Sequence, residues 1–147
     1  MKYELICNDP VLSQSSQQLE IILREQTCLF KKEVIGHAIV KITINDTESM
    51  ILDDFRLDTD SNDWGYGLGK MIITFMKNAI LHFYGDQEHA VIVYPNAIVE
   101  GQTIQDLYMK YLGVGFKFRE ENFNYGNLPS DTNHEMYMTF KRHIPSK

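Results

Sequence analysis

Apolar and polar residues alternate most regularly over Val34–Ile44 (VIGHAIVKITI). This β-branched, period-two run predicts a strand. Asn45-Asp46 supplies turn chemistry, and Ser49–Leu57 (SMILDDFRL) predicts the returning strand of an antiparallel hairpin. A polar loop, Asp58–Trp64, leads into Gly65-Tyr66-Gly67-Leu68-Gly69. The pattern then changes to a helical period. Ile72, Phe75, Met76, Ala79, Ile80 and Phe83 share one face, and Gly85 stops the run. Ala90–Tyr94 (AVIVY) is continuously apolar, which predicts a strand buried on both faces. Thr103 and Asp106 have capping-box spacing at the start of a second helix. Ile104, Leu107, Tyr108, Tyr111 and Leu112 form its apolar face, and Gly113 ends it. Phe116–Phe118 and Glu135–Lys141 predict two final strands.

The first thirty residues carry weaker signals. Tyr3–Cys7 predicts a short strand, and Asp9-Pro10 with the Ser/Gln cluster at 13–18 is loop or helix-start chemistry. Leu19–Glu25 fits either period and is taken as a strand. The element order predicts an α/β (α+β) fold, a mixed, mostly antiparallel twisted sheet flanked by helices. The length of 147 residues suits a single domain spanning 1–147, and no repeat or Gly/Ser linker divides it.

Composition narrows the function classes. Hydrophobic residues are 44% and charged residues 23%, which excludes a disordered chain. The net charge of −6 argues against nucleic acid, whose phosphates require clustered cations, and favours a cationic partner. Two cysteines, Cys7 and Cys28, make neither a CxxC nor a disulfide framework. The five histidines (37, 82, 89, 134 and 143) lack metal-site spacing, so no metal is expected. The N-terminus has no apolar signal-peptide core and no run approaches membrane-span length. The expectation is a cytoplasmic protein with no membrane partner.

A strand, a glycine-rich turn and a helix N-terminus together can bind phosphate. Glycine lets the backbone approach closely, and the first helical N–H groups and the helix dipole favour an anion. The spacing is neither GxxxxGK[ST] nor GxGxxG. By itself the cluster serves equally well as a tight turn.

A second segment adds meaning. Leu107-Tyr108-Met109-Lys110, then Leu112-Gly113 and Gly115-Phe116, closes the second helix. With Trp64-Gly65-Tyr66-Gly67-Leu68-Gly69 ahead of the first helix, the chain resembles the GNAT superfamily, the Gcn5-related N-acetyltransferases. There an Arg/Gln-x-x-Gly-x-Gly/Ala loop precedes a long helix, and a late helix commonly ends in a phrase like Leu-Tyr-x-Lys-x-Gly-Phe. The resemblance covers roughly Val34 to Phe118. Trp64 stands at the Arg/Gln position, with Lys70 as the nearby cation, and the part before Val34 is short and atypical.

The resemblance implies acetyl-CoA as cosubstrate and direct acetyl transfer to a primary amine, a small molecule or peptide. Implied cofactor contacts are Leu57, Trp64, Gly65, Tyr66, Gly67, Leu68, Gly69, Lys70, Asn96 and Tyr108. The Leu57 N–H, near the family's strand bulge, would hold the thioester oxygen. Tyr108 would protonate the CoA thiolate; its alternative is a core tyrosine like Tyr111. Asp53, or else Asp54, would take the acceptor's proton; the alternative is a solvated, ion-paired carboxylate. Strand alternation places Asp53 with Phe55 and Asp54 with Arg56. Many small proteins of this family are dimers, so a homodimer is a further expectation. The competing reading is a non-catalytic CoA-binding or protein-interaction domain of the same fold.

Overall fold

The computed structural model describes residues 3–8, 11–12, 16–28, 30–43, 49–57, 67–96 and 101–142. Its elements are β1 (Tyr3–Cys7), β2 (Val11–Leu12), β3 (Ser16–Cys28), β4 (Lys31–Thr43), β5 (Ser49–Leu57), α1 (Leu68–Tyr84), β6 (His89–Val93), α2 (Ile104–Gly113), β7 (Lys117–Phe118) and β8 (Met136–Phe140). The strands form one sheet in the order β1-β3-β4-β5-β6-β8-β7, with β2 on β3. Every pairing is antiparallel except β5 with β6.

The ambiguous Leu19–Glu25 lies inside the thirteen-residue β3, laddered on both sides by β1 and β4. Ser16–Gln18 belongs to the same strand and is not a helix start. Leu19, Ile21 and Leu23 are fully buried, and their partners Val40 and Ala38 complete the same face. Met50, Leu52 and Phe55 of β5, Val91 and Val93 of β6, and Met136 and Met138 of β8 extend that face. Each fully buried aliphatic side chain contributes about 1.5–3 kcal/mol.

Helix α1 packs here through Ile72, Ile73, Met76 and Ile80. It approaches closely because β4 carries glycine at the crossing. A Cβ on Gly36 would lie 2.7 Å from Ile72 Cδ1 and 2.9 Å from Leu57 Cδ2. Gly85, with φ 97°, ends α1 in a conformation that glycine adopts without strain. The capping box of α2 forms as its spacing predicts. The Asp106 N–H donates to Thr103 Oγ1 at 3.1 Å, and the Thr103 N–H donates to Asp106 Oδ2 at 3.0 Å. Helix α2 lies on the same face as α1, with Tyr108 against Phe118 at 5.3 Å and Tyr111 against Phe55 at 5.8 Å.

One expectation is corrected. Strand β6 is buried on one face only: His89, Val91 and Val93 are buried, whereas Ala90 and Ile92 are half-buried. Among the described residues both helices cover a single side, so the other side of β6 meets no helix. No helix among the described residues is long and apolar enough to cross a membrane.

Candidate functional site

Strands β5 and β6 pair over only three positions, Ser49 with Ala90, Met50 with Val91 and Ile51 with Ile92. Strand β5 then continues to Leu57, while β6 ends at Val93. From Leu52 onward β5 has no partner in the parallel ladder.

Helix α2 faces this stretch of β5 with Lys110 and Tyr111. Tyr111 is 6% exposed and sits edge-on to Phe55 and to Phe116. Burial, reinforced by the Asp54 charge, drives its hydroxyl pKa far above the usual tyrosine value, so it keeps its proton. Lys110 Nζ donates to the Phe55 carbonyl oxygen at 3.3 Å and lies 5.0 Å from the Tyr111 ring centroid. Burial lowers its pKa to about 8, against the raising effect of Asp54. Backbone groups two residues apart on a strand project from the same edge, so the Leu57 N–H shares the edge that carries the Phe55 carbonyl.

Tyr108 is fully buried and occupied elsewhere. Its hydroxyl donates to the Asp131 carbonyl at 2.5 Å and accepts the His134 N–H at 3.4 Å. It pins the segment between β7 and β8, which is also held by the Asn133 N–H on Pro95 O at 2.8 Å. The structure thus brings Tyr111, not Tyr108, to Phe55 on β5. The spacing carried this signal: the family phrase puts Tyr four residues before Gly-Phe, as Tyr111 stands before Gly115-Phe116. Lys110 was also missed as a site residue, although it lies three residues after buried Leu107 and hence on that helix face.

His134 in the pinned segment has its Nδ1 3.0 Å from Glu120 Oε1 and its Nε2 2.5 Å from Asp131 Oδ1. Glu120 first and Asp131 second raise its pKa. The unfolded value is about 6.5. A raised folded pKa makes this stabilisation complete below the unfolded value, and it is lost as pH rises through the folded one. Urea midpoints should therefore fall from mildly acidic to mildly alkaline pH. His134→Gln should flatten that slope, and an equal slope in the variant would refute the assignment.

The β5 carboxylates need a correction. The β4–β5 register slips between Leu52, opposite Val40, and Asp54, opposite Ile39. Asp53 is the extra residue of this bulge, so it does not face with Phe55. It is exposed, 3.3 Å from Lys41 Nζ, whereas Phe55 is buried. The bulge lies at Asp53, four residues before Leu57. Asp54 does face with Arg56, at 3.9 Å, and its Oδ2 is 3.0 Å from His37 Nδ1.

Trp64, Gly65 and Tyr66 lie outside the described residues, as do Asp58, Asp60 and Asp63. Gly67 is the N-cap of α1 with φ 80°; it provides no side-chain cap, and the first turn has no acidic residue. Leu68 and Gly69 are buried and Lys70 is exposed. Gly67 and Lys70 line a groove of about 440 Å³ with Leu5, Met71, Thr74, Phe75 and Asn78. The groove is open and lined mostly by apolar atoms, with Lys70 as its charged group and the N-terminal end of α1 at its Gly67 end. Asn96 is exposed just past β6, beside buried Pro95.

No family model matches the sequence, and no curated protein matches it. Solved structures match the fold. A protein of Desulfovibrio desulfuricans assigned to the GNAT acetyltransferases aligns with a TM-score of 0.52 at 10% identity, over 86% of this chain and 69% of that one. Escherichia coli ElaA aligns at 0.51 with 12% identity, over 82% and 67%. The anti-CRISPR protein AcrVA5 aligns at 0.50 with 13% identity, over 84% and 98%. The chain has a GNAT-like fold: a mixed, mostly antiparallel sheet in one domain, with one parallel pair, β5 and β6, among the described residues.

Proposed function

We propose that this protein is an acyltransferase that moves an acetyl group from acetyl-CoA to a primary amine by direct attack. The observation that carries the proposal is the end of the β5–β6 ladder at Ile51 and Ile92, beyond which the strands would open a cleft, with a protonated, buried Tyr111 facing the β5 edge. The cofactor pyrophosphate would lie on the N–H groups at the start of α1, around Gly67, Leu68 and Gly69, with Lys70 as the cation. Trp64, Gly65, Tyr66 and Asn96 complete the proposed cofactor contacts. The Leu57 N–H would hold the thioester oxygen, where one such donor is worth about 3–4 kcal/mol as negative charge develops.

The departing CoA sulfur needs a proton. Tyr111 fits this role better than Tyr108, whose own proton is committed to the Asp131 carbonyl. An acceptor ammonium would lose its proton to Asp54 or Asp53, directly or through water. Asp54 acts electrostatically on both Lys110 and Tyr111, which favours it over the exposed Asp53. The net charge of −6 suits a cationic acceptor.

Titration with CoA in a calorimeter, paired with a thiol-release assay on a panel of amines, tests this. Binding with thiol release that depends on an amine is the expected result. Binding without release to any amine would favour a non-catalytic CoA-binding domain. No heat at millimolar CoA would sink the proposal.

A further inference from the structure

We propose that Lys110 is a self-acylation site, whose Nζ takes the acyl group from a thioester held at the β5 edge. This rests on the acyl-CoA reading of the cleft.

Three features of the geometry converge. Helix α2 carries Lys110 on the face of Leu107 and Tyr111, so its side chain runs towards the sheet. Its Nζ docks on the Phe55 carbonyl, with the Tyr111 ring at 5.0 Å and the Phe55 ring at 5.8 Å. The Leu57 N–H projects from the same edge two residues further along. A thioester oxygen held on that N–H puts its carbonyl carbon within one swing of the flexible lysine side chain.

Nucleophilic attack needs the neutral amine. Burial among aromatic rings lowers the Lys110 pKa to about 8. Near that pH about half of the molecules carry a neutral amine, against well under 1% for a solvated lysine of pKa about 10.4. Among the described residues, the charged groups facing this region are Asp54 of β5, which opposes the shift, and Arg56 and His37, which stand beside Asp54.

The step balances without a further reagent. The Nζ lone pair forms the N–C bond, and the carbonyl oxygen takes the charge. The C–S bond then breaks, its electron pair leaves on the CoA sulfur, and the proton displaced from Nζ goes to that sulfur. The products are an amide on Lys110 and free CoA thiol.

The test incubates the intact protein with acetyl-CoA, without an amine acceptor, at a series of pH values. Peptide mass spectrometry then locates any acetyl group. One acetyl on the Lys110 peptide is expected, forming faster as pH rises through about 8. It should appear in step with thiol release and be lost in Lys110→Arg. Calorimetry on the same preparation separates the two ideas. CoA binding with Lys110 unmodified, or with label spread evenly over exposed Lys31, Lys32 and Lys41, overturns this inference alone. Absence of CoA binding overturns the acyl-CoA reading and this inference with it. Competitive labelling with limiting acetic anhydride reads the amine without CoA; a Lys110 that titrates like those exposed lysines also overturns the proposal.

Discussion

Tyr111→Phe is expected to lower amine-dependent thiol release by about a hundredfold or more, the usual contribution of a positioned general acid, with CoA affinity nearly unchanged. The substitution removes one oxygen and keeps the ring that packs on Phe55 and Phe116. The loss should therefore fall on the chemical step and lower kcat and kcat/KM together. Tyr108→Phe should behave in the opposite way. It removes the hydroxyl that donates to the Asp131 carbonyl and leaves that carbonyl without this donor. The expected cost is about 1–3 kcal/mol of stability, with turnover retained once the protein is folded. Steady-state kinetics and urea unfolding on both variants decide the matter. A slow Tyr108→Phe and an active Tyr111→Phe would reverse the assignment.

Gly36→Ala should destabilise by about 1–3 kcal/mol, through overpacking. The new Cβ would meet Ile72 Cδ1 at 2.7 Å, Leu57 Cδ2 at 2.9 Å and Leu23 Cβ at 3.3 Å. The first two are ends of flexible side chains. Leu23 Cβ is fixed to a strand laddered on both sides and cannot yield in the same way. Removing Cδ1 by Ile72→Val costs about 0.5–1.5 kcal/mol alone, but it should partly rescue Gly36→Ala. The double variant is therefore expected to be less destabilised than the sum of the singles, since the two sites are in contact. Denaturant midpoints for all four proteins test this, and strict additivity would show that Ile72 is not what limits position 36. Leu57 lies at the same crossing, so its backbone N–H is placed by the contact that α1 makes over Gly36.

Much of the chain was legible because its signals are local. The β4–β5 hairpin, the extent of α1 and the capping box of α2 each depend on residues within a few positions of one another. Thr103 and Asp106 satisfy each other's N–H groups within one helical turn, and no distant element is needed. Gly85 likewise ends α1 by its own backbone freedom. Leu19–Glu25 was ambiguous for the converse reason. Its strand state is supplied by β1 on one side and β4 on the other, neither of which a periodicity count contains.

The site divides along the same line. Sequence spacing marked the glycine turn before α1, the Tyr-rich face of α2 and the carboxylates of β5, because residue type and interval are enough to name them. That Tyr111 packs on Phe55 while the Tyr108 hydroxyl is held elsewhere depended on the segment after β7, folded back so that the Asp131 carbonyl accepts from Tyr108. That Asp53 does not face with Phe55 depended on a single inserted residue, because the bulge at Asp53 breaks the alternation counted along the strand. The point where the parallel ladder stops, after Ile51 and Ile92, is likewise absent from any local pattern. Caps, turns and periods are written in neighbouring residues. The side a hydroxyl points to, the register of a bulge and the end of a parallel ladder are settled by partners far along the chain.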